Sequence, residues 1–77
     1  MFNANLNALQ VKIKDQYDFI AELRAEREIC AEIVKQALLR GDMDHVAEFT
    51  EDTIAKKEQI DEACVELDRL RIENINS

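Results

Sequence analysis

Arg27, Thr53 and Lys56 are the residues whose types and spacing most invite chemistry. Each occupies a place in an apolar stripe that recurs at helical spacing. A fold that zips the two stripes together sets a guanidinium, a hydroxyl and an ammonium at one level. Such a layer, with Tyr17 beside it, is a cationic notch able to hold a phosphate or carboxylate ligand. The plainer reading is structural. A buried Arg and Lys without carboxylates is costly, so the layer is expected to be paired by its neighbours Glu26 and Glu28 or reached by solvent. Polar residues on a seam also fix its register, and Gln16 invites the same account.

The remaining reactive side chains offer less. Cys30 and Cys64 lie at the seam about ten residues apart along the shared axis, roughly 15 Å, too far to bridge. They read as small buried hydrophobes with free thiols. His45 is the only histidine, and without Cys or His at ligand spacing it reads as a surface residue rather than a zinc ligand. Glu-x-x-His, the signature of di-iron bundles, does not occur. No nucleophile–base pair or Gly-rich loop is present, so no catalytic residue, cofactor or metal is expected. The spacing Glu58-x-x-Asp61, with Glu48-x-x-Glu51 upstream, resembles the magnesium-binding carboxylates of all-α nucleotide pyrophosphohydrolases. A solvated helix face is the simpler account of it.

The elements that must position these residues follow from periodicity. Leu6, Leu9, Ile13, Ile20, Leu23, Cys30, Val34 and Ala37 recur in alternating steps of three and four, with Gln16 and Arg27 filling the gaps. Val46, Phe49, Thr53, Lys56, Ile60, Ala63, Leu67, Leu70 and Asn74 repeat the pattern. Between them stands Gly41, the single glycine of a chain without proline. Glycine can take the left-handed conformation that ends a helix. Asp42 or Asp44 can then cap the helix that follows.

The expected fold is therefore all-α: one domain over residues 1–77, a long antiparallel, coiled-coil-like helical hairpin. Helix 1 spans about 4–40, the turn 41–43 and helix 2 about 44–75. With the reversal there, facing positions sum to about 84, so Leu23 meets Ile60, Ile20 meets Ala63 and Val34 meets Phe49. The turn resembles the G-D-x-x-x-A hinge of tetratricopeptide units, through Gly41, Asp42 and Val46–Ala47. Arg40-Gly41-Asp42 spells an integrin-type tripeptide, read here as turn chemistry.

Two stripes alone make a small core, and more apolar residues lie beside them. Tyr17 and Leu38 flank one side of helix 1, and Phe19, Ile29 and Ile33 the other. A homodimer closing into a four-helix bundle is expected to cover this widened arc. On helix 2, Val65 and Ile72 lie opposite the stripe. With Asp61, Glu62 and Asp68 they form an acid-rimmed apolar strip, a candidate binding surface for a basic partner.

Charge narrows the functional classes. The chain carries 17 acids against 10 bases, a net charge of −7. Residues 1–40 balance at six each, so the excess falls in the second half. That argues against a broad nucleic-acid footprint. The apolar runs are too short for a membrane span, and the N-terminal segment lacks the basic start and apolar run of a signal peptide. A cytoplasmic setting with reduced thiols is the expectation.

The function read from these features is a small, acidic, non-catalytic interaction protein: an adaptor, chaperone or inhibitor. It would oligomerise and bind a protein with a basic surface through an acidic helical face, mimicking nucleic acid in one version. One alternative is RNA binding, since the layout resembles the plasmid regulator Rop, a dimer of helical hairpins that grips paired RNA loops. Lys12, Lys14, Arg24 and Lys35 would then meet phosphates. Another is a sponge or sensor for a small anion, built on Arg27 and Lys56.

Overall fold

The computed structural model describes residues 7–76, which form two long helices and, within that range, no strand. The first, α1, runs Ala8–Arg40 and the second, α2, Met43–Asn76. They lie antiparallel in a slab of 54 × 25 × 11 Å, one helix thick, with a length close to the rise of about 33 residues at 1.5 Å each. None of the described helices is long and apolar enough to cross a membrane.

Local chemistry sets both ends of α1. Asn7 is extended, and its side chain accepts from the Gln10 N–H at 2.8 Å while the Gln10 side chain accepts from the Asn7 N–H at 3.1 Å. This reciprocal capping box satisfies donors that the first turn leaves free. Among the described residues the helix starts at Ala8; the expected start at about residue 4, with Leu6, lies outside that range. At the other end Gly41 adopts φ +75°. Its N–H donates to Leu38 O at 3.1 Å, and the Asp42 N–H donates to Ala37 O at 2.9 Å. This pair of bonds is a Schellman motif, closed by the one residue that takes a left-handed φ at no steric cost.

Asp42, not Asp44, caps α2: its Oδ1 accepts from the His45 N–H at 3.3 Å. The reversal therefore needs only Gly41 and Asp42, and α2 begins at Met43, one residue earlier than expected. Asp44 sits in the first turn, where a carboxylate favours the positive helix end.

The seam follows the alternating stripes. Ile20, Leu23, Ile60, Ala63 and Leu67 form one buried cluster with Ile13 and Cys64 packed against it, so the expected partners Leu23 and Ile60, and Ile20 and Ala63, share a core. Ala37 and Leu70 are buried toward the two ends. Cys30 and Cys64 are half-buried free thiols.

Candidate functional site: two unlike flanks

Zipping the stripes leaves an open flank on each side of the seam, and the two differ chemically. In an antiparallel pair, the residues just outside the seam on one side of α1 meet their counterparts on the same side of α2. One side is lined by Phe19, Leu23, Glu26, Lys56, Gln59 and Glu62, and continues toward the chain ends through Lys12, Asp15, Glu66 and Arg69. We call it the Phe19 flank. The opposite side is grooved between Ala31, Val34, Thr50, Thr53 and Ile54. At the same helical positions it carries Tyr17, Leu38 and Cys64. This is the Tyr17 flank.

Charge separates them. On the Phe19 flank α1 contributes Asp15, Glu22 and Glu26 against Lys12 and Arg40. There α2 contributes Glu48, Asp52, Glu62, Glu66 and Glu73 against Lys56 and Arg69, which makes eight acids to four bases. The Tyr17 flank carries Lys14, Arg24, Lys35, Lys57 and Arg71 against Glu28, Asp61 and Asp68, five bases to three acids. The acid excess therefore lies across the slab as well as along the chain.

Within the Phe19 flank, the polar layer expected on the seam takes a definite form. Lys56 Nζ donates to Glu26 Oε1 at 2.8 Å across the two helices. The carboxylate's hydrogen bond holds the Lys56 ammonium above its ordinary range. Thr53 Oγ1 donates to Phe49 O, one turn back on its own helix, at 2.7 Å. Arg27 is half-buried and enters no ion pair among the described residues. The structure thus engages one of the two cations of the notch with a neighbouring acid and turns the Thr53 hydroxyl back to its own backbone. Gln16 Nε2 crosses the seam to donate to Ala63 O at 2.9 Å. Lower on this flank Arg69 grips Glu66 with two parallel bonds, Nε to Oε1 at 2.9 Å and Nη2 to Oε2 at 2.7 Å. That fork lowers the Glu66 pKa.

The strip expected to receive a partner lies on the outward surface of α2. Val65 is 70% exposed and Ile72 59% exposed. Glu62 borders the strip on the Phe19 side, and Asp61 and Asp68 on the Tyr17 side. Asp61 also accepts from Lys57 Nζ at 2.9 Å within the helix. At the turn, the His45 side chain pairs through Nδ1 with Asp42 and stacks on Phe49, with ring centroids 6.0 Å apart. The hydrogen bond from Asp42 raises the His45 pKa and lowers that of Asp42. His45 is exposed, as the sequence suggested, but it also fastens the turn. Its place three residues after Asp42 was the available signal. Among the described residues no three His, Cys, Asp or Glu side chains converge to hold a metal.

Sequence reasoning missed the Phe19 groove. Phe19, Glu26, Gln59 and Glu66 all sit one place to the same side of the stripes, a signal that appears once charges are read by helical position. No known protein family, curated protein or solved structure matches the chain.

Proposed function

We propose that this chain is a non-catalytic interaction protein that oligomerises and binds another protein through its acidic side. The observation that carries this reading is an unclosed surface. Among the described residues seven apolar side chains are buried, none of them large and fully enclosed, while eleven large apolar ones stay exposed. The chain exposes 5820 Å², against about 4,800 Å² for a compact monomer of this mass. Its radius of gyration is 17.3 Å, against about 11–12 Å for a compact chain of the same length. Surface of this kind is what a small helical hairpin gives to other chains.

The acidic side supplies selectivity. The groove around Phe19 has an apolar floor rimmed by Glu26 and Glu62. It adjoins the Val65–Ile72 strip through Glu62, so a basic amphipathic helix would find both its apolar and its charged needs met. Opposite charge over this length raises the association rate and makes it salt-dependent. The test immobilises the whole chain, captures proteins from extracts of its own cells and elutes with a salt gradient. A specific partner released by moderate salt, and lost when Glu62→Gln and Glu66→Gln are combined, supports the reading. Release indifferent to salt contradicts the acidic side as its driver.

One observation favours RNA as a second reading: Lys14, Arg24 and Lys35 gather with Lys57 and Arg71 on the Tyr17 flank. A gel shift with structured RNA at low salt decides it, and an unshifted band removes it.

A further inference from the structure

We infer that the Tyr17 flank is the surface on which this chain pairs with a second copy of itself, leaving the Phe19 flank outward for its partner. The inference rests on the oligomeric reading above and names the face that serves it. Two observations select the face, and a third shows that its area suffices.

The first is apolar content beside the seam. Tyr17, Ala31 and Leu38 on α1, with Thr50 and Cys64 on α2, border the seam on this flank, and Ile54 lies one step further out. Tyr17, Leu38 and Ile54 are each about half exposed. The groove between Ala31, Val34, Thr50, Thr53 and Ile54 is lined by carbon and hydroxyl groups alone. The places next to the seam on the Phe19 flank hold Lys12, Glu26, Arg40, Asp52, Glu66 and Glu73, with Phe19 and Ile33 apolar there and Ile29 one step further out.

The second is charge. Two-fold pairing sets a face against itself. Two Phe19 flanks would oppose eight acids to eight acids, with four bases on each side to offset them, a like-charge juxtaposition that disfavours contact. The Tyr17 flank, at five bases to three acids, is nearer to balance. Its bases Arg24, Lys57 and Arg71 lie next to the seam, while Glu28, Asp61 and Asp68 lie one step further out, in the same row as Lys14 and Lys35. A second copy turned over the first brings outer acids toward inner bases.

The third is area. The broad face measures 54 × 25 Å, an envelope of about 1,300 Å², whereas a stable dimer needs about 800 Å² from each partner. The two slabs, each one helix thick, become a four-helix bundle when stacked. Asp61 and Asp68 then belong to the bundle's edge. Glu62, Val65, Ile72 and the Phe19 groove remain free.

Analytical ultracentrifugation of the full chain and four single variants tests the assignment. Leu38→Glu and Ile54→Glu place a carboxylate on the Tyr17 flank, and Phe19→Glu and Ile29→Glu place one on the opposite side. All four sites are at least 46% exposed, and circular dichroism checks that each variant stays helical. The expected result is a dimer for the wild type, Phe19→Glu and Ile29→Glu, and about 30-fold or more weaker association for Leu38→Glu and Ile54→Glu. Dimers that survive Leu38→Glu and Ile54→Glu, or that dissolve with Phe19→Glu or Ile29→Glu, overturn the assignment of the face. A wild-type monomer overturns self-pairing altogether. Partner capture by the acidic side is read separately, by salt elution of Glu62→Gln combined with Glu66→Gln, so either idea can fail alone.

Discussion

The carboxamide of Gln16 donates to the backbone carbonyl of Ala63 at 2.9 Å, so a side chain of one helix holds the main chain of the other. An apolar seam tolerates sliding by a turn, because one aliphatic residue replaces another. A directional bond to one carbonyl does not. Gln16→Ala is expected to lower stability by about 1 kcal/mol, the usual net worth of such a bond. Gln16→Leu is expected to hold or raise the melting temperature while broadening the amide resonances of residues facing the seam. Thermal melts and NMR line widths check the two together.

Gly41 is the other determinant of register. An added Cβ would meet nothing within 4 Å, so the cost of Gly41→Ala is purely conformational, about 1–2 kcal/mol for a left-handed non-glycine residue. Gly41→Asn, a residue that visits this region more readily, is expected to lose less. Chemical denaturation of the three proteins gives the order Gly, Asn, Ala. Equal stability of Gly41→Ala and the wild type would contradict the strained reversal.

The His45–Asp42 pair makes the turn pH-sensitive in a defined sense. His45 is raised above its ordinary 6.5, so its contribution is complete below that value and fades as pH rises through the raised pKa. Asp42 is lowered from 3.8, so its contribution is complete above that value and fades as pH falls through the lowered pKa. The turn is therefore firmest in the mildly acidic window between them. Urea midpoints at about pH 5.5 and about pH 8.5 should differ more for the wild type than for His45→Gln. In Asp42→Asn, NMR titration should return His45 toward its ordinary value.

Glu26 and Lys56 join the helices across the Phe19 flank, but both ends reach solvent: the Lys56 side chain is 29% exposed and that of Glu26 is 53% exposed. A pair so placed, reached by water at both ends, contributes little to stability. Lys56→Met is expected to leave the melting temperature within a few degrees of the wild type or to raise it, because the methionine joins the seam. If Lys56 and Arg27 instead served a small anion, added inorganic phosphate would raise the melting temperature of the wild type but not of Lys56→Met.

Much of the fold was legible because one physical rule controls it. Alternating steps of three and four put Ile20, Leu23, Ile60, Ala63 and Leu67 on one seam, and a lone glycine had one place to be useful. The stripe runs back to Leu6, and periodicity says nothing of where backbone donors find an acceptor. The Asn7-x-x-Gln10 spacing carried that information. The charge asymmetry was read along the chain, where the first half sums to zero. Its second dimension, acids gathered on the Phe19 flank and bases on the Tyr17 flank, is angular and emerges only once both helices share an orientation. Arg27, Thr53 and Lys56 showed as a polar layer, but whether each cation finds an acid depends on side-chain reach across the seam, which no spacing encodes.

The account stands on a hairpin whose second broad surface needs another chain. Sedimentation equilibrium of the wild type across a dilution series measures this directly. The account predicts a mass of twice 8.9 kDa that falls toward the single-chain value only on strong dilution. A single-chain mass at every concentration, with the helices intact and unfolding cooperatively, would contradict it.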